Sequence, residues 1–166
     1  MKTKTQKIVM ASMLAALCCV VTMILKVPSP LEGYINLGDS IVLLSGWLLG
    51  PWYGFLSAAI GSALADIFSG YVLYAPATFV IKGLMAYIVY LVYKLLIGRM
   101  SNILSKIVSG LVAEIVMVGG YYIFEGFIYG FYPSLVNIPA NAIQGICGMI
   151  LGILLVNLFE KNNILK

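Results

Sequence analysis

IVMASMLAALCCVVTMIL, residues 8–25, is an uninterrupted apolar run, followed at once by Lys26-Val27-Pro28-Ser29-Pro30. Lys2, Lys4 and Lys7 precede it, so the segment imitates a secretory signal. A signal ends in small residues at a cleavage site, whereas this run ends in a lysine and two prolines. Leu14-Ala15-Ala16-Leu17-Cys18 imitates a lipoprotein signal, but Leu17 is too bulky for the position before the cysteine. The run is therefore expected to stay attached as a first membrane helix, since about 18 apolar residues can span a bilayer core. The rest of the chain has the same character. Of its 166 residues 62% are hydrophobic and 10% charged, and the mean hydropathy is +1.05. Soluble domains carry about 25% charged residues, and a soluble fold of this size could not hide so much apolar side chain. The expected fold class is an all-α membrane protein without an extramembrane domain.

Composition also removes chemistries. The sequence contains no histidine, which excludes zinc-hydrolase spacing, a Ser–His pair and a haem histidine ligand. No Gly-Lys-Ser/Thr occurs, so the chain has no phosphate loop of its own. No cofactor or metal is expected. Cys18, Cys19 and Cys147 lie in apolar runs without CxxC spacing and read as small buried hydrophobes. The net charge is +4, but the cations are scattered, which argues for membrane topology and against nucleic acid.

Six spans are expected, over residues 8–25, 40–49, 52–68, 77–97, 106–124 and 135–159, forming one integral membrane domain. The second covers only about 15 Å at ~1.5 Å per residue, half a bilayer core. It must be short, tilted or shielded by neighbours. Gly50-Pro51 separates it from the third. Residues 27–38, with Glu32, Tyr34 and Asn36, form an outer loop lid after the first helix, and residues 126–133 an aromatic, glycine-rich loop. With the N-terminus inside, Lys2, Lys4, Lys7, Lys94, Arg99, Lys106, Lys161 and Lys166 all fall on the cytoplasmic side. The positive-inside bias then places both termini in the cytoplasm of a multi-pass cell-membrane protein.

Ionisable residues inside a membrane region cost roughly 2.5–3.5 kcal/mol at mid-helix and are functional candidates. They are Asp39, Asp66, Lys82, Glu114 and Glu125. Lys82 serves function or pairs with Asp66 or Glu114; Asp39, after Gly38, reads as a helix cap. Asn137, Asn141 and Gln144 are spaced i, i+4, i+7 and share a stripe on the sixth helix, where amides can orient a heterocycle's donors and acceptors. Apart from Glu114 near the midplane, this polarity falls in the outer half, and the inner half is nearly pure hydrocarbon. The pattern implies a cup open outward and plugged below. Aromatic residues crowd the outer boundary as an interfacial belt, within which Tyr74, Tyr121 and Tyr122 are candidates to stack on a flat ligand. The substrate-binding candidates are thus Tyr34, Asn36, Asp66, Tyr74, Lys82, Tyr121, Tyr122, Asn137, Asn141 and Gln144. Small residues at Ala11, Ala15, Cys19 and Thr22, at Ser57, Gly61 and Ala65, and at Gly148 and Gly152 form smooth stripes for close helix approach.

The six-helix plan, the Ala11-xxx-Ala15 motif and the block Gly50-Pro-Trp-Tyr-Gly54 … Asp66-Ile-Phe-Ser-Gly70 … Tyr74-Ala-Pro-Ala-Thr78 … Ile81-Lys82-Gly83 resemble the S component of an energy-coupling-factor (ECF) vitamin transporter. The block is similar to the subgroup associated with pyridoxine and hydroxymethylpyrimidine, which shades into riboflavin-like members. The resemblance implies a high-affinity binder, not an enzyme, that associates with a transmembrane coupling subunit and two ABC-type ATPases. It also implies that Ala11 and Ala15 dock the coupling subunit. Three other readings remain: an intramembrane aspartyl hydrolase using Asp39 and Asp66, a ligand-free accessory membrane subunit, and a stand-alone facilitator or proton-coupled carrier, which would want an inverted repeat.

Overall fold

The computed structural model describes residues 3–29, 31 and 33–161. Pro30 and Glu32 of the expected lid, and Lys2 and Lys166 of the expected cytoplasmic set, lie outside the described residues. Helix α1 spans Lys4–Ile24. Thr3 caps it, its hydroxyl accepting from the Gln6 amide while the Gln6 side chain accepts from the Thr3 amide, which satisfies two otherwise orphaned donors. The lid is not an irregular loop: strands β1 (Lys26–Pro28) and β2 (Tyr34–Asn36) pair antiparallel, with Val27 opposite Ile35.

Helix α2 (Asp39–Leu49) supplies the centre of the molecule. Ten of its eleven residues are buried, and Ile41, Val42, Leu43, Leu44 and Trp47 head the apolar core. It packs against α1, α3 (Pro51–Phe68), α4 (Ala75–Leu96) and α7 (Ile138–Lys161). Eleven residues reach only ~17 Å, so the shortness is tolerated by enclosure: protein, not lipid, surrounds the helix ends. Gly50 ends α2 with φ +82°, and Pro51 opens α3 at its first position, where the missing N–H costs nothing.

Around α2, neighbouring helices touch in the order α1, α3, α4, α5 (Asn102–Tyr129) and α7. Among the described residues four segments are long and apolar enough to cross a membrane: Lys4–Ile24, Ala75–Leu96, Asn102–Tyr129 and Phe131–Lys161. The exterior is oily throughout. Met13, Leu95, Ile115 and Leu154 are each more than 60% exposed, an arrangement suited to lipid rather than water.

Three sequence expectations require correction. The glycine-rich stretch 126–133 is not a loop: α5 continues to Tyr129, Gly130 turns the chain at φ +94°, and the short helix α6 (Phe131–Ser134) begins at once. Gly126 permits this, because a Cβ there would strike the Phe131 ring. Cys147 is exposed, unlike Cys18 and Cys19. The half remote from the lid is also less purely hydrocarbon than expected. Ser45 donates to the Ile41 carbonyl at 2.7 Å, and Trp47 Nε1 to Ser109 Oγ at 3.1 Å. Lys106, fully buried, donates to Asn157 Oδ1 and Glu160 Oε2 at 2.7 Å each.

Gly46 sets the spacing between α2 and α4, since a Cβ there would run into Val89 and the Ala86 carbonyl. Overpacking of this kind costs about 1–3 kcal/mol. Gly46→Ala is expected to lower the thermal midpoint of the detergent-solubilised protein. Gly119→Ala, whose Cβ meets no atom within 4 Å, should leave it unchanged.

Candidate functional site

The lid end of the bundle is organised by one ion pair. Lys82 of α4 and Asp39 of α2 form a salt bridge in which both side chains are almost wholly buried. Asp39 is therefore not the helix cap that the sequence suggested: Gly38 holds that position without a side-chain capping bond, and the Asp39 carboxylate lies in the first turn of α2, where the helix dipole favours negative charge. The expected pairing of Lys82 with Asp66 or Glu114 is replaced by this one. Gln144 of α7 donates to the second Asp39 oxygen at 2.6 Å, and Lys82 lies over the Tyr121 ring at 5.4 Å. Gly148 brings α7 against this point, since a Cβ there would lie 2.6 Å from Asp39 Cβ.

From this anchor, hydrogen bonds lead to the lid. Gln144 Oε1 accepts from the Asn36 backbone amide at 2.9 Å, and the Asn36 side chain accepts from Gly38 at 2.8 Å. Asn137 Oδ1 accepts from the Leu31 amide at 3.4 Å, while its amide group donates to Glu125 Oε1 at 2.9 Å. Tyr34 donates to Asp66 Oδ1 at 2.6 Å. Burial, and then the adjacent Asp66 carboxylate, push the Tyr34 hydroxyl far above its usual range, so it stays a donor at any ordinary pH.

A cavity of about 30 Å³ lies beneath the lid, lined by residues of the hairpin and of α3, α4, α5 and α7. Its lining includes seven of the ten sequence candidates: Tyr34, Asn36, Asp66, Tyr74, Tyr121, Asn141 and Gln144. The other three stand elsewhere. Lys82 is held behind the Tyr121 ring by Asp39, and Asn137 is spent on Glu125 and the lid. Tyr122 packs its ring against Phe131, 5.8 Å between centroids, because one helical step from Tyr121 turns it about 100° away.

Sequence reading missed Ser29, Gly33, Thr78 and Glu125 as lining residues. Thr78 shares a hydrogen bond with Tyr121 at 3.0 Å; its i−4 spacing from Lys82 was the available signal. Glu114 is buried away from the cavity lining, and neither of its carboxylate oxygens has a hydrogen-bond partner among the described residues. Asp39 and Asp66 have separate partners, a lysine and a tyrosine, so they do not form the proton-sharing dyad that hydrolysis would need.

Ala11 and Ala15 lie on a different surface. With Ser12, Tyr53, Ser57 and Ile60 they line an apolar groove of about 600 Å³ between α1 and α3. Gly61 lets the two helices close beneath it, since a Cβ there would meet the Ala15 carbonyl and lie 2.9 Å from Cys18 Cβ.

An oily helical bundle with a polar, lidded cavity at one end defines a membrane protein that binds a small molecule. The chain belongs to the family described as ECF-type riboflavin transporter, S component, whose model matches residues 2–161. It is accordingly the substrate-binding subunit of a vitamin-uptake transporter and not an enzyme. Over 134 residues it is 34% identical to an uncharacterised protein of Pyrococcus woesei, covering 80% of this chain and 87% of that one. Over 141 residues it is 26% identical to the thiamine precursor transporter HmpT of Lactococcus lactis subsp. cremoris (strain MG1363), covering 84% and 78%. The S component of a bacterial ECF transporter superposes with a TM-score of 0.73 at 28% identity, covering 99% of both chains. The crystallographic S component for biotin superposes at 0.72 and 18% identity, covering 96% and 95%, which supports the fold alone.

The Lys82–Asp39 pair generates a stability prediction. Removing one partner of a buried pair strands the other charge and costs about 3–5 kcal/mol, whereas removing both costs far less. Lys82→Met and Asp39→Asn should each markedly lower the thermal midpoint in detergent. The double variant should recover a substantial part of the loss.

Proposed function

We propose that this subunit captures a small, flat, water-soluble vitamin or precursor in the cavity beneath the hairpin lid. Pyridoxine-like compounds or hydroxymethylpyrimidine come first and riboflavin next. The observation that carries the reading is the convergence of Tyr34, Asn36, Asp66, Tyr121, Asn141 and Gln144 from separate elements on one cavity. The 30 Å³ space is far smaller than the several hundred Å³ of a typical small-molecule site, so ligand entry requires the lid to lift from Asn137 and Gln144. The likeness to a thiamine precursor transporter supports a pyrimidine, and the family description supports a flavin.

The energy for uptake comes from outside the chain, through a transmembrane coupling subunit and two ABC-type ATPases. The α1–α3 groove with Ala11 and Ala15 is the docking face for that coupling subunit. Both termini lie in the cytoplasm and the lid faces outward: Lys4, Lys7, Lys94, Arg99, Lys106 and Lys161 all belong to the helix ends or connector opposite the lid, as the positive-inside bias requires.

Protein purified from cells grown in rich medium should carry its ligand, identifiable by mass spectrometry. Asn141→Ala should lose most of it; full retention would overturn the cavity assignment. Ala11→Trp should abolish uptake in cells that also make the energising module, while ligand binding by the isolated subunit remains. Loss of binding in that variant would contradict the docking role.

A further inference from the structure

Asp66 of α3 and Glu125 of α5 both line the cavity, and each is less than 5% exposed. Each has one oxygen in use. Asp66 Oδ1 accepts from Tyr34, and Glu125 Oε1 accepts from Asn137 and, at 3.4 Å, from Tyr74. The second oxygens, Asp66 Oδ2 and Glu125 Oε2, are buried and have no hydrogen-bond partner among the described residues. Nature rarely leaves two buried acceptors idle in one small space, because each forfeits its hydration without replacement.

Most hydroxyl donors and the nearby cations are already engaged, while the Asn36 and Asn141 side-chain amides also face the cavity. The Tyr34 and Tyr74 hydroxyls serve the two carboxylates, Thr78 and Tyr121 share one hydrogen bond, and Ser29 donates to the Leu31 carbonyl at 2.9 Å. Gln144 is used on both sides. Lys82 is neutralised by Asp39 and is not part of the lining. Lys26 is exposed, bonded to Ser69 Oγ at 2.9 Å, and likewise outside the lining. The charged residues of the lining are thus both carboxylates, each with an idle acceptor, and no lysine or arginine stands among them.

Resting on the reading that this cavity is the substrate site, we propose that it selects a neutral or cationic ring compound with at least two hydrogen-bond donors. One donor meets Asp66 Oδ2 and the other Glu125 Oε2. Phosphate esters and carboxylates are rejected, because a desolvated anion would face two carboxylates with no cation in the lining to pair with it. The cavity therefore distinguishes a free vitamin alcohol from its phosphorylated form.

The test is calorimetric titration of the purified, detergent-solubilised protein with three matched pairs. These are pyridoxine and its 5′-phosphate, hydroxymethylpyrimidine and its phosphate, and riboflavin and its 5′-phosphate. For whichever ring binds, the alcohol should bind at least about 100-fold more tightly than the ester, the scale that like-charge opposition sets. Asp66→Asn and Glu125→Gln, confirmed as folded by gel filtration, should each weaken the alcohol about 10-fold and narrow the gap to the ester. The comparison on the unaltered protein needs neither variant to fold. Equal or tighter ester binding overturns the inference and leaves the vitamin-binding reading intact, as does unchanged alcohol affinity in both variants. Failure of all three alcohols to bind overturns both.

Discussion

A lysine and an aspartate inside an oily bundle can be buried only together, and the structure is arranged around that requirement. Either charge alone would carry a desolvation penalty of several kcal/mol. Lys82 and Asp39 therefore fix where α4 meets α2, and the remaining Asp39 oxygen fixes α7 through Gln144. Three helices are brought to register by one carboxylate. Gln144 then extends the same network to the hairpin, so the position of the lid is set by charge pairing deep in the protein. The pair also keeps the lysine out of the cavity lining, whose only charged residues are carboxylates.

Below this point the bundle holds itself together differently. The core around α2 is aliphatic, with hydroxyls tucked onto nearby carbonyls, and the far end closes through Lys106, Asn157 and Glu160. Lipid tails are as apolar as the side chains that face them, so helix association rests on close packing. Gly46, Gly61 and Gly148 each sit where a Cβ would collide with a neighbouring helix. Small residues bring the backbones together, and the buried Lys82–Asp39 pair sets which faces meet.

Much of this was legible in the sequence, for identifiable reasons. Long apolar runs and the Gly50-Pro51 break carry the helix plan, because membrane spans are governed by length and hydropathy. The amide stripe on the last helix was visible through its spacing, and Gln144 and Asn141 do reach the cavity lining. Pairing was not legible. Asp39 and Lys82 are 43 positions apart, and nothing local distinguishes Asp39 from Asp66 as the partner. The helical continuation through residues 126–129 was hidden by Gly126, which makes room for the Phe131 ring inside the helix, so that the turn comes only at Gly130. Glu125 was visible as a helix-end charge, but its place in the cavity depends on the turn at Gly130, which folds Asn137 back onto it.

The hairpin is fastened to α7 and to the 3-10 turn at Leu135–Asn137 that leads into it by an asymmetric clasp. It contributes main-chain N–H groups from residues 31 and 36, whereas the bundle contributes side-chain oxygens from positions 137 and 144. Main-chain groups are present whatever residue occupies a position, proline excepted. Apart from Tyr34, which holds Asp66 through its side chain, the strap can therefore drift in sequence and retune what it covers without losing these bonds, while the two amides beneath it have no such latitude. Evolution of a new ligand preference in this scaffold has an inexpensive route through the strap and a costly one through the helix that holds it.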